Sequence, residues 1–214
     1  MPCNARGVPM KIDWTTRRLY LLFTPVQCAG EPWETLAAAL RGGVQLVQWR
    51  VAEADPMGLQ RCVRLCTEHD VPVLVNDHVA LAAAAGAAGA HIGQDDMPAA
   101  AARALLGPER YLGISTHHAD QVRRAEADGA DYLGLGPCFP TATKGYRQGL
   151  DPAVLEAARR VASLPVFAIG GLDAARIAAL RRCGFRHFAV SGAVLGAEDP
   201  EGAAAALRRA VDAD

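Results

Sequence analysis

No sign of charge dominates this sequence: 22 basic side chains stand against 23 acidic ones over 214 residues, with no basic block. That balance leaves no electrostatic footprint for nucleic acid or an anionic membrane surface, and neither is expected as a partner. Long apolar runs are missing too. The longest, residues 79–85, ends after seven residues at Gly86, far short of the ~20 that cross a bilayer. The first sixteen residues lack a basic stretch followed by an apolar one, the pattern of a secretory leader. Without it, the six cysteines are expected as reduced thiols in a cytoplasmic protein. Cys62, Cys66 and His69 share one helical face, but no second pair with zinc spacing accompanies them, and packing accounts for the two cysteines. What remains is an ordinary globular composition, 51% apolar and 21% charged, long enough to bury a core without staples.

Short β-branched or apolar runs alternate with longer segments rich in Ala, Leu and Arg at helical spacing. The runs are residues 19–24, 46–50, 71–76, 90–93, 111–116, 132–136, 166–170 and 187–191. The helical segments are 33–41, 58–69, 79–85, 98–106, 119–128, 152–162, 173–182 and 200–211. Gly42-Gly43, Gly86, Gly107, Gly129 and Gly184 stand where helices would end, and Pro98, Pro152 and Pro200 where they would begin. The spacing is regular except between the sixth and seventh strands, where residues 138–151 are inserted. Eight such units without a break in composition predict a single (β/α)8 TIM barrel over residues 19–214, preceded by an N-terminal extension, 1–18. An open doubly wound sheet is the structural alternative. Residues 1–16 are expected either to be disordered or to cover the lower end of the barrel.

In such a barrel the loops that follow the strands meet over a packed floor, and function gathers there. Polar residues do fall at those ends. Gln48 and Arg50, two apart on one strand, point to one face and converge with Asn76 as an anion and amide clamp. Asp77 and Asp96 follow consecutive strands and would place two carboxylates on adjacent strand ends. Hard oxygen ligands of that kind suit Mg2+, whereas helix capping is the plain alternative. Gly170-Gly171 and Ser191-Gly192 fit a phosphate site of backbone N–H groups, or simply two tight turns. Residues 140–149 carry Thr141, Thr143, Lys144 and Arg147, and read either as a lid over phosphate groups, with Lys144 as ligand, or as a solvated connection. Among the scattered histidines, including His78, His91 and His118, only His117 stands at a strand's functional end, as acid–base group or as scaffold.

These segments in order resemble the thiamine phosphate synthase family over residues 19 to about 211. The resemblance rests on Val47-Gln48-Trp49-Arg50, Val75-Asn76-Asp77, His91-Ile92-Gly93-Gln94-Asp95-Asp96, Gly113-Ile114-Ser115, Gly134-Leu135-Gly136-Pro137 leading to Thr141-Ala142-Thr143-Lys144, and Ala168-Ile169-Gly170-Gly171. The interval of nineteen from Asp77 to Asp96 recurs from Asp96 to Ser115. The resemblance implies an enzyme in which 4-amino-2-methyl-5-hydroxymethylpyrimidine diphosphate loses pyrophosphate and a thiazole phosphate nitrogen attacks the methylene carbon, giving thiamine phosphate. It further implies that Gln48, Arg50, Asn76, Ser115 and Lys144 hold the pyrimidine and its diphosphate, with Arg50, Ser115 and Lys144 as the catalytic set. Asp77 and Asp96 would hold Mg2+, and Thr141, Thr143, Gly171, Val190 and Ser191 would seat the thiazole phosphate.

The sequence also departs from the family pattern. Ala52 stands where a lysine is usual, Trp49 is bulkier than usual, and residues 184–188 replace a small and acidic approach to the last strand. A thiazole tautomerase with His117 as proton carrier is the neighbouring alternative. A non-catalytic barrel that binds a thiamine precursor is another. The Ala-rich helix faces are compatible with a homo-oligomer.

Overall fold

Alternate residues of each short strand face two different apolar surroundings, and this period of two fixes the architecture. The computed structural model describes residues 12–141 and 147–213. Its strands are β1 (Leu19–Phe23), β2 (Leu46–Trp49), β3 (Val73–Asn76), β4 (Gly89–Ile92), β5 (Tyr111–Thr116), β6 (Tyr132–Leu135), β7 (Val166–Ile169) and β8 (His187–Val190). They pair in parallel in chain order, and β8 returns to β1, so the sheet closes into a barrel rather than an open doubly wound sheet. The outer ring consists of α1 (Pro32–Arg41), α2 (Pro56–Glu68), α3 (Val79–Ala84), α4 (Ala99–Leu106), α5 (Ala119–Ala127), α6 (Pro152–Val161), α7 (Ala174–Arg182), α8 (Gly192–Leu195) and α9 (Pro200–Asp212).

Local chemistry sets the helix ends. Proline opens α1, α2, α6 and α9, where its missing N–H is not needed. Aspartates 55, 151, 173 and 199 accept a backbone N–H of the following turn at 2.7–2.9 Å. Asp77 and Asp96 do not cap: the N-cap positions of α3 and α4 are His78 and Pro98, without side-chain caps, and this corrects the capping alternative. Most strands stop one residue short of the boundaries expected from sequence. Thr24, Arg50, Gly93, Gly136, Gly170 and Ser191 leave the ladder to form the rim. Two short elements were not expected, a 3-10 turn at Pro25–Gln27 and the four-residue α8.

Outward-facing strand residues and the inner helix faces form one core layer, including Leu21, Val47, Val75, Leu133 and Phe188. Inward-facing residues fill the lumen: Tyr20, Leu22, Leu46, Leu74, Tyr132, Phe167 and Ala189. Each large side chain so buried contributes about 1.5–3 kcal/mol relative to exposure. Trp14 closes the lower end. Its ring lies 5.3 Å from Tyr111, 5.1 Å from Tyr132 and 6.0 Å from Phe167. Ile12 N–H donates to the Tyr111 hydroxyl at 2.6 Å, and His187 Nε2 meets the Trp14 carbonyl at 2.6 Å.

The outer layer absorbs two of the departures noted in the sequence. Trp49 is buried, stacks on Trp33 at 5.9 Å and packs on Phe23, and a Cβ at Gly58 would come within 2.8 Å of its ring. Its bulk therefore enters the layer outside the barrel. Phe185 is likewise buried there, with the Arg159 guanidinium 6.0 Å above its ring. Cys62 and Cys66 are buried on the inner face of α2 and His69 caps its end, and no group of three or more His, Cys, Asp or Glu able to hold a metal occurs among the described residues.

Candidate active site

The carboxyl ends of the strands surround a cavity of about 380 Å³. β2 supplies Gln48 and the rim residue Arg50, whose backbone N–H is fixed to the Phe23 carbonyl at 2.9 Å. β3 supplies Asn76, β4 His91 and β5 Ser115, all facing inward on the same period of two. Gly171 lies beyond β7, Val190 ends β8 and Ser191 follows it. Thr141 reaches the cavity from the β6–α6 loop. Val190's side chain belongs to the outer core layer, so it meets the cavity through its backbone. The Ser191 hydroxyl donates to the Leu22 carbonyl at 3.1 Å, tying β8 to β1. Thr143 and Lys144 lie outside the described residues.

What joins these residues carries no sequence motif. A chain of hydrogen bonds crosses the lumen floor: Gln48 Nε2 to the Tyr20 hydroxyl at 3.0 Å, Tyr20 to Tyr132 at 3.1 Å, Tyr132 to His91 Nδ1 at 3.0 Å, and His91 Nε2 to Ser115 Oγ at 2.9 Å. One arrangement gives each of these four contacts one donor and one acceptor. Gln48 donates to Tyr20, Tyr20 to Tyr132 and Tyr132 to His91 Nδ1, while His91 Nε2–H donates to Ser115. The Ser115 proton is then left for the cavity. Burial raises the pKa of both tyrosines well above the ordinary range, so they remain neutral donors. Gly113 makes room for this chain, since a Cβ there would lie 2.1 Å from the Tyr132 ring and 2.4 Å from His91 Nδ1.

The two aspartates sit at the rim and outside the cavity wall. Both are exposed, Asp77 directly after β3 and Asp96 in the loop four residues beyond β4, the strand paired with it. Asp77 takes a left-handed backbone, φ 59°, accepts from the Asn76 amide, and donates its N–H to the His91 carbonyl at 3.0 Å. Asp96 accepts the Gly93 N–H at 2.7 Å. Both side chains are water-accessible carboxylates in neighbouring βα loops, hard oxygen donors of the type a divalent cation takes. His117 lines the cavity with its Nδ1–H on the Gly136 carbonyl, which in the neutral ring leaves the lone pair on Nε2. Ala52 is exposed in the β2–α2 loop and does not line the cavity.

At the opposite wall, Gly170 and Gly171 have φ of 102° and 62°, and a Cβ on them would meet Pro137 Cα at 2.8 Å and the Pro140 carbonyl at 2.4 Å. Only glycine fits there, because the root of the β6–α6 loop crosses the turn. Cys138 N–H and Phe139 N–H donate to Ile169 and Gly170 carbonyls at 2.7 and 3.2 Å. Burial pushes the Cys138 thiol up to about 12, so this cysteine packs and is not a nucleophile. Arg176, also missed from sequence, lines the same wall. Tyr20, Tyr132 and Arg176 carried no motif signal, and only strand register or the α7 cap geometry reveals them.

The family model for thiamine monophosphate synthase matches residues 19–194. A thiamine-phosphate synthase of Prochlorococcus marinus (strain MIT 9303) is 44% identical over 172 residues, 78% of this chain and 48% of that protein. One from Thermosynechococcus vestitus is 39% identical over 196 residues, 90% of this chain and 55% of that protein. The chain thus spans about half the length of the curated relatives it matches. A solved thiamine phosphate pyrophosphorylase from Pyrococcus furiosus superposes with a TM-score of 0.83 at 30% identity, covering 93% of this chain and 97% of that one. A 3-hexulose-6-phosphate synthase structure, at TM-score 0.71 and 21% identity, shares the fold. By the extent of these matches, the chain belongs to the thiamine monophosphate synthase family.

Proposed function

We propose that this chain is a thiamine phosphate synthase, joining a hydroxymethylpyrimidine diphosphate to a thiazole phosphate with release of pyrophosphate. Residues 19–214 form the catalytic barrel of this reading, and residues 1–18 an N-terminal extension. The observation that carries it is one cavity with two chemically distinct sides. Gln48, Arg50, Asn76 and Ser115 project from β2 to β5, while Gly171 and Ser191 lie across from them.

In this reading Gln48 and Ser115, held by the lumen chain, orient the aminopyrimidine, and Arg50 and Asn76 bind its diphosphate. Asp77 and Asp96 would hold Mg2+, and the ion when bound would supply charge neutralisation at the diphosphate. The methylene C–O bond breaks with its electron pair going to pyrophosphate, and the thiazole nitrogen lone pair forms the new C–N bond. No proton transfer is required of the protein, so its work is positioning and charge neutralisation. Thr141, Thr143, Gly171, Val190 and Ser191 would seat the thiazole phosphate, with Lys144 as a ligand of the diphosphate. The substrates are small molecules, a homo-oligomer is compatible with this site, and the free thiols suit a cytoplasmic setting.

The test is pyrophosphate release by Asp77→Asn and Asp96→Asn under Mg2+ titration. Each variant should lose at least a hundredfold in rate, or need far more Mg2+, with the thermal midpoint held. Wild-type rates in both at low Mg2+ would remove the aspartates from the metal site. Thiazole phosphate binding without any product in the parent chain would point instead to a tautomerase.

A further inference from the structure

Arg50 and Arg176 are the arginines of the cavity wall among the described residues, and they stand on opposite sides of it, at the end of β2 and in the first turn of α7. The proposed function gives Arg50 a partner and leaves Arg176 without one. Its surroundings are specific. Nη1 donates to the Gly171 carbonyl, Nε lies 3.6 Å from Asp173 Oδ2, and the guanidinium sits 4.9 Å above the Phe139 ring. Asp173 also caps α7 by accepting the Arg176 backbone N–H at 2.8 Å. The side chain is therefore held at the wall, with N–H groups still to be satisfied and little rotamer freedom left to lose.

The wall beside it offers neutral groups, the Gly170-Gly171 backbone and Ser191, whose hydroxyl proton is committed to Leu22. A phosphomonoester seated there meets one cation from the described residues, Arg176. Asp173 opposes it with a carboxylate also on the cavity wall. We infer that Arg176 is the specificity-determining residue for the monophosphate, so that the chain distinguishes phosphorylated from unphosphorylated thiazole by this guanidinium, tuned by Asp173. This inference rests on the synthase reading for its ligand, but its chemistry, a phosphomonoester on a braced arginine, can be measured apart from turnover.

The experiment compares wild type, Arg176→Gln, Arg176→Lys and Asp173→Asn in titrations with three probes: thiazole phosphate, the unphosphorylated thiazole alcohol, and inorganic phosphate. Loss of one charge-assisted contact predicts about ten- to a hundredfold weaker thiazole phosphate binding by Arg176→Gln. Alcohol binding should stay within about twofold, because the alcohol makes no such contact. Inorganic phosphate should weaken in parallel, Arg176→Lys should recover most of the loss, and Asp173→Asn should tighten both phosphate ligands severalfold. In turnover, KM for thiazole phosphate should rise while kcat and KM for the pyrimidine diphosphate hold. Equal losses for alcohol and phosphate would reduce Arg176 to a brace for Phe139 and Gly171. Unchanged phosphate affinity in Arg176→Gln, or no phosphate binding by wild type, would overturn the inference. Arginine-dependent phosphate binding in a chain that makes no thiamine phosphate would sink the synthase reading alone. Thiamine phosphate formation with thiazole phosphate affinity unaltered by Arg176→Gln would sink the inference alone.

Discussion

The Tyr20 hydroxyl links Gln48 on β2 to Tyr132 on β6, accepting from the one and bonding the other. Tyr20→Phe removes that atom without changing the ring packing against Phe167 and Tyr132. A buried Gln48 N–H then has no acceptor, and the Tyr132 proton chain loses its donor. The expected cost is about 1–3 kcal/mol in urea unfolding, with a rise in KM for the pyrimidine diphosphate as Gln48 loses its fixed orientation. Unchanged stability and KM would show that water replaces the hydroxyl. Gln48 and Ser115 were legible because a polar residue at the end of an apolar strand is conspicuous. Tyr20 and Tyr132 were not, since a tyrosine in a strand reads as packing until register joins them with His91, a motif residue, through contacts of 3.0–3.1 Å.

Among the elements, residues 12–18 do most to seal the floor from below. Trp14→Ala removes an aromatic contact to three lumen rings and should cost ~2–4 kcal/mol, less than a fully buried tryptophan because Trp14 is half-buried. Its partner His187 titrates. Burial holds the His187 pKa below the ordinary 6.5, against the pull of its Trp14 hydrogen bond. The unfolded chain then takes up a proton before the folded one does. Stability is therefore full above pH 6.5 and falls as pH drops from there through the lower folded value. His187→Gln keeps a donor for the Trp14 carbonyl and should flatten that slope when midpoints are compared between pH 5 and 8. A parallel slope in both proteins would place the titration elsewhere. The strands and helices themselves were legible within one or two residues at most ends, because Pro and Gly mark real caps. The four-residue α8 and the 3-10 turn escaped, being too short to show a period.

Across the whole molecule, closure of eight parallel strands turns residues scattered over the sequence into one cavity. The barrel was readable because eight apolar runs and eight helical segments alternate without interruption. The division of the cavity into two sides was readable only in part. Gln48, Arg50, Asn76 and Ser115 line the cavity together, while Asp77 and Asp96 stand at the rim and not in the wall. The absent lysine at Ala52 falls on an exposed loop away from the described cavity wall. Arg50 and Asn76, by contrast, line the cavity. The most direct measurement mixes the purified chain with pyrimidine diphosphate, thiazole phosphate and Mg2+, and follows thiamine phosphate by mass and pyrophosphate enzymatically, with a chelator control. Both products should form in equal amounts, and chelation or omission of either substrate should abolish them. Pyrophosphate without thiamine phosphate, or neither product at saturating Mg2+, would contradict the synthase reading.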